Sequence, residues 1–181
     1  MLVDTSSLID RTITAILSPA CDFVHPAWVN ELTTPIATSR TVLQLSNGVL
    51  VMVAPCEVEV EPDKYPSLGL ATSTCGQGAL TWTGPDGKAY FMHSLAAASP
   101  LLPFKVVHTE SSDPLGEGAV SQIALIGASE AQIVFRHIMP PMTLGIALAG
   151  AKHLTTHSSG RRSIACASSK LCGAGAAKFK R

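Results

Sequence analysis

Charge is scarce in this chain, with Asp, Glu, Lys and Arg making up only 14% of its 181 residues, and aromatic residues are scarcer still at 5%. Against an apolar fraction of 46%, that is less charge than an ordinary soluble monomer carries, so much surface is expected to be buried against something. No apolar run reaches the ~20 residues that a membrane-spanning helix needs, which leaves partners rather than a bilayer to cover it. The N-terminal stretch holds Asp4 and Asp10 and no leading Lys or Arg, and is not expected to be a secretory signal. Five cysteines, an odd number without regular spacing, do not make a disulfide framework; free thiols in a reducing compartment are expected. No Gly-rich phosphate loop, dinucleotide fingerprint or placed pair of catalytic carboxylates is present.

Acid is absent from the last part of the chain. Before Arg136 there are thirteen acidic and five basic residues, a balance of −8; from Arg136 onward there are eight basic residues and no acid, a balance of +8. The formal net charge of zero therefore joins an acidic body to a basic tail. Clustered Lys and Arg bind phosphates by releasing condensed counterions, so the tail points to a polyanion. The plainer alternative is a tail that docks on the acidic body of its own or a neighbouring subunit.

The length predicts about one domain. Its organising stretch runs from Thr33 to Asp63. Thr41 to Leu45 is extended, Ser46-Asn47-Gly48 is a turn signal, and Val49 to Ala54 is a continuous apolar run followed by alternation from Cys56. Two strands joined by a tight connection are expected there. Ala79 to Thr83 and Lys88 to Ser94 flank Gly84-Pro85-Asp86-Gly87 as a hairpin. Phe104 to His108 is a candidate strand. Ala119 to Ile126 and Ala131 to Met139 form a further antiparallel pair around Gly127-Ala128-Ser129, with Pro140-Pro141 breaking the second. Between these, residues 63–69 read as a loop and 71–78 as small and polar, and 109–118 as a loop. Thr143 to Ala151 fits either a strand or a short helix. Short strands with turn chemistry between them are the pattern of an all-β sandwich or barrel.

Ahead of the sandwich, residues 4–17 place Leu8, Ile9, Ile13, Ile16 and Leu17 on one helical stripe with Asp4 or Ser6 as N-cap, predicting a short amphipathic helix ended by Pro19. The expected division is residues 1–30 as helix and connector, 31–151 as the β-sandwich, and 152–181 as a basic C-terminal arm, too poor in apolar residues for a core of its own.

From residue 17 to 60 the order of signals resembles the jelly-roll capsid proteins of small positive-strand RNA viruses, of nodavirus-like and tombusvirus-like type. The residues that carry the likeness are Leu17 to Phe23, His25-Pro26-Ala27-Trp28, Thr38 to Leu45, and Asn47 to Pro55, ending in Val53-Ala54-Pro55. Those families carry their basic arm before the jelly roll, whereas here it follows. The resemblance implies an all-β antiparallel sandwich of jelly-roll type that self-assembles in many copies into an icosahedral shell around RNA, without catalysis. It places the chain in the virion, with host cytoplasm as the site of assembly. The phosphate-neutralising residues would be Arg161, Arg162, Lys170, Lys178, Lys180 and Arg181, a spacing suited to sequence-independent contacts.

Three other constellations stand beside that reading. Glu57, Glu59, Glu61 and Asp63 occupy every second position, so one strand face would carry four carboxylates, able to share Ca²⁺ with a neighbouring subunit or to form a solvated face or a landing strip for the tail. The resembling capsids often use interfacial calcium; no other cofactor is expected. His153, His157, Cys166 and Cys172 are ligand types that tetrahedral zinc accepts, though the Cys spacing is wider than usual. Finally, Thr74-Cys75-Gly76-Gln77-Gly78 with the downstream segment to His93 faintly resembles viral chymotrypsin-like cysteine proteases. A Cys75 nucleophile needs a hydrogen-bonded base, and His25 is the only upstream histidine. A non-viral β-sandwich interaction module is the third alternative.

Overall fold

A computed structural model of the chain describes residues 2–19, 22–23, 36–60, 66–83, 87–128, 130–138 and 142–150. The chain is all-β and antiparallel. Its strands are β1 (Thr12–Ser18), β2 (Asp22–Phe23), β3 (Ile36–Thr38), β4 (Thr41–Leu45), β5 (Leu50–Val58), β6 (Ser67–Cys75), β7 (Thr81–Thr83), β8 (Ala89–Phe91), β9 (His93–Ser94), β10 (Phe104–Ser112), β11 (Gln122–Gly127), β12 (Gln132–Ile138) and β13 (Thr143–Ala149). Among the described residues the helices are short 3₁₀ turns at Thr5–Leu8, Gln77–Leu80 and Ala96–Leu101.

The expected helix over residues 4–17 does not form. Asp4 does cap a first turn, its carboxylate accepting from the Ser6 N–H at 3.1 Å, but the turn ends at Leu8 and the chain becomes β1. The β-branched Thr12, Ile13, Thr14 and Ile16 favour extended backbone. As a strand, the segment buries Ile13 and Ile16 completely and pairs with both β4 and β10. Residues 12–18 are thus part of the sheet rather than a preface to it.

The hydrogen-bonded order is β2-β3-β13-β12-β11-β10-β1-β4-β5-β6, with β9 joined to β1 and β7-β8 forming a separate two-stranded sheet. The long path folds into two layers, one of β1, β4, β5 and β6, the other of β10 to β13 with β3, and β5 and β6 lie against β11, β12 and β13. The layers meet where Thr12 and Ile13 pair with Lys105 and Phe104. Between them lies one core, to which one layer contributes Ile16, Leu43, Val51 and Val53 and the other Leu125, Ile133, Phe135 and Ile146. Among the described residues, consecutive strands are mostly neighbours within a layer, β4-β5-β6 in one and β10-β11-β12-β13 in the other. That is a pair of meanders; it does not supply the two Greek keys that define a jelly roll.

The tight connection between β4 and β5 is as expected: Gly48 takes φ +82°, its N–H donates to Leu45 O at 2.9 Å, and Asn47 Oδ1 accepts from the Val49 N–H at 3.1 Å. That backbone region disfavours residues with a Cβ. The hairpin of Thr81–Thr83 with Ala89–Phe91 and the pair β11-β12 also form. Thr143–Ala149 is a strand, paired on one side with β12 and on the other with β3. Two strands exceed expectation. β10 continues to Ser112, its second half paired only with β11, and residues 67–75 form β6 along the full length of β5. Pro55 sits past the last β4 rung, Thr41 opposite Val53, where β5 has only β6 beside it, a position that tolerates proline.

Candidate functional site

Where β5 runs past β4 and β10 runs past β1, a groove of about 410 Å³ lies between the layers. One wall is Cys56 and Val58 of β5 with Leu70 and Thr72 of β6; the other is Ser111, Gly118, Val120 and Ile123. Residues 2–5 close over it. They are held by an antiparallel bridge between Leu2 and Ser73, by the Val3 N–H donating to Thr72 O at 2.9 Å, and by the Thr72 hydroxyl donating to Val3 O.

The opposite wall is stapled to β6. The Leu70 N–H donates to Val120 O at 2.7 Å, an approach that Gly69 permits, since a Cβ there would stand 3.2 Å from the same oxygen. Asp113 organises the loop leading to Val120, its carboxylate accepting from the N–H groups of Glu117 at 3.3 Å and Gly118 at 2.6 Å. Ser67 in turn donates to Glu117 Oε2 at 2.7 Å.

Asp4 is the acidic residue of the lining; Glu57 and Glu110, which alternate with the lining residues Cys56, Val58 and Ser111 along β5 and β10, are exposed and project to the other face of their strands. The hydrogen bond from the Ser6 backbone, with its hydroxyl, holds the Asp4 carboxyl below its ordinary value. Burial pushes the Cys56 thiol up.

Of the carboxylates proposed for calcium, Glu57 and Glu59 are exposed on and just beyond β5, whereas Glu61 and Asp63 lie outside the described residues. Among the described residues, no group of three or more His, Cys, Asp or Glu side chains is placed to hold a metal. Cys75 ends β6 opposite Leu50, a free, half-buried thiol. Burial raises its pKa, with Arg40 opposing, the reverse of the shift that activates a nucleophile. His93 is exposed on β9, and His25 lies outside the described residues. So do all six proposed RNA-binding residues, Arg161, Arg162, Lys170, Lys178, Lys180 and Arg181, and the zinc candidates His153, His157, Cys166 and Cys172.

Fold and groove together define an all-β antiparallel two-layer protein with a mainly apolar cleft at one end of its layers. No family model, curated protein or solved structure matches the chain. The groove itself is not readable as a motif, because its residues come from positions 2 to 123; the single local signal is Asp113-Pro114-Leu115-Gly116, a turn formed around an aspartate.

Proposed function

We propose that this chain is a structural protein whose β body assembles in many copies into a shell, the virion coat of a small RNA virus, and whose basic C-terminal arm holds RNA. The observation that carries this reading is the partition of charge: −8 before Arg136 and +8 from it onward. The body's Asp10, Glu57, Glu59, Glu110 and Glu130 are all exposed, so the body repels RNA, and neutralisation falls to Arg161, Arg162, Lys170, Lys178, Lys180 and Arg181. Exposed large apolar side chains, including Phe91, Val107, Leu115 and Met142, supply contact area for self-association.

Negative-stain microscopy of the purified chain is expected to show particles, and deletion of residues 158–181 to leave the far-UV circular dichroism of the body intact while removing co-purifying nucleic acid. Six phosphate contacts on a single strand give a slope of about −4 for log binding constant against log salt. A deletion variant that keeps its full nucleic-acid load refutes the role of the arm, and a slope near zero refutes its mechanism. Cys75→Ala is expected to change neither assembly nor RNA content.

A further inference from the structure

β7 and β8 stand apart from the two layers. They form a two-stranded sheet of their own, every residue of β8 is exposed, and such a hairpin by itself is only marginally stable in water. Its register pairs Thr81 with Phe91, Trp82 with Tyr90 and Thr83 with Ala89; one step further, the Met92 N–H donates to Leu80 O at 2.9 Å. Bonded and unbonded positions alternate along an antiparallel pair. Trp82 and Tyr90 therefore exchange bonds, while the N–H and C=O groups of Ala89 and Phe91 point away from β7. Among the described residues no strand pairs with that margin of β8.

The margin lacks the devices that blunt a free edge. A row of unpaired backbone groups is ordinarily guarded by charge, proline, a bulge or a covering segment, and β6 is covered in this way by Val3 and Val120. The outer margin of β7 is also engaged, because the Thr81 N–H donates back to Gly78 O. Ala89-Tyr90-Phe91 has neither charge nor proline and pairs with β7 in unbroken register. The composition around it selects what can cover it. Over residues 65–104, Lys88 is the only Lys or Arg and Asp86 the only acid. A polyanion finds a single cation there, whereas an identical strand meets no like charge opposite.

We infer that β8 is a seam between two copies of the chain, in which two β8 strands pair antiparallel about a two-fold axis at Tyr90 and join two hairpins into one sheet. Ala89 of each copy then faces Phe91 of the other, and both rungs exchange N–H···O bonds through the groups that point outward. Each phenyl ring lies over a methyl group, Tyr90 stands beside its counterpart, and Lys88 faces Met92. β1 fixes the register: it pairs with His93 and Ser94 and accepts from the Leu95 N–H at Ile16 O, so the same margin is taken beyond Met92 and the ladder ends there. The contact is self-complementary, as a closed two-fold interface requires.

The seam names one contact of the self-assembly proposed above and needs neither the arm nor RNA. With 59% of Phe91 and 41% of Tyr90 exposed, and aromatic side chains burying about 150–250 Å² each, the rings of a pair remove about 400 Å² from water. Stable interfaces bury about 1,200–2,000 Å². The seam is therefore weak alone and holds where other contacts add to it, so its test captures it covalently.

Tyr90 and its counterpart form an unbonded rung with Cα atoms about 4.5 Å apart, within the span of a disulfide. Ala89 and its counterpart are offset along the strands and stand about 8 Å apart, beyond that span. In the full chain under mild oxidation, Tyr90→Cys is expected to give a dimer linked through position 90, identified by peptide mass spectrometry, and Ala89→Cys no link through position 89. Equal linking from both, or none from Tyr90→Cys in a variant whose far-UV circular dichroism matches the parent, overturns the seam.

Hydrogen exchange in the unaltered chain gives an independent measurement. The Ala89 and Phe91 amides are expected to exchange more slowly as protein concentration rises, and the Tyr90 amide, already bonded to Trp82, to stay the same. Ala89→Pro removes an N–H that β7 does not use, a change that an edge tolerates; it is expected to leave the far-UV signal intact and to abolish the concentration dependence at Phe91. Phe91 protection that ignores concentration, or that survives Ala89→Pro, overturns the seam. Linked dimers of a chain that forms no particles leave the seam standing and refute the coat reading. Particles that survive Ala89→Pro, with no link at position 90, do the reverse.

Discussion

Phe135→Ala and Val134→Ala are adjacent substitutions whose costs the two-layer arrangement separates. Phe135 is fully buried, stands between Ile123 of β11 and Ile146 of β13, and belongs to the core between the layers. Truncating such a phenylalanine costs about 3–5 kcal/mol, because the cavity it leaves collapses only in part. Val134 is nearly as buried at 7% exposure, but it points to the other face, opposite Ala124 and Ala147, and is not part of that core. Its loss of two methyl-sized groups costs about 1–1.5 kcal/mol. Against a total stability of about 5–15 kcal/mol, the first change removes about a fifth or more and the second at most about three tenths. Guanidinium unfolding followed by far-UV circular dichroism, at one protein concentration so that self-association contributes equally, should show the Phe135→Ala midpoint falling at least twice as far, with unchanged slope. If Val134→Ala costs as much or more, β12 is shifted by one residue and the assignment of inner and outer faces is wrong.

Two further outcomes follow from local geometry. Gly69→Ala places a Cβ 3.2 Å from Val120 O, so the bond from the Leu70 N–H should lengthen; hydrogen exchange at the Leu70 amide is expected to quicken, with a global cost of about 1 kcal/mol, and unchanged Leu70 protection would refute the staple. His137 Nε2 is buried without a hydrogen-bond partner, and burial lowers the His137 pKa from 6.5. A depressed folded-state value means that the unfolded chain takes up the proton first, so this group's contribution to stability is full above about pH 6.5 and is lost as pH falls through the folded value. His137→Gln should flatten that part of the pH profile of the unfolding midpoint, and an identical profile in the variant would refute the contribution.

What the sequence discloses here depends on how local the signal is. Ser46-Asn47-Gly48 and Gly84-Pro85-Asp86-Gly87 announce their turns because positive φ is a property of single residues, and Gly48 and Gly87 have it. β11 and β12 are apolar enough to stand out on either face. β1 misleads because Ile13 and Ile16 stand three apart, a helical spacing rather than an extended one; an irregularity between Ile13 and Ala15 lets the strand bury both, and only the presence of β4 and β10 on either side decides for the strand. β6 is hidden for the opposite reason: its Gly69, Ala71, Ser73 and Thr74 carry little apolar signal, yet Gly69 is what its close approach to Val120 requires. Strand order is beyond local reading, as the separation of the expected jelly roll from the observed meanders shows. The groove joins Asp4 to Thr72 and Gly118, which no window of sequence brings together. Glu57 and Glu59 were legible as a carboxylate row, and both are exposed.

The amino-terminal segment laid along β6 bears on how neighbouring molecules can meet. With Val3 bonded to Thr72 and Val120 bonded to Leu70, the outer margin of that strand is already occupied at its middle. One molecule's sheet cannot be continued into the next there. A copy that approached this margin would meet side chains rather than a free row of N–H and C=O groups, and such contacts tolerate a range of tilt that a shared backbone ladder would forbid.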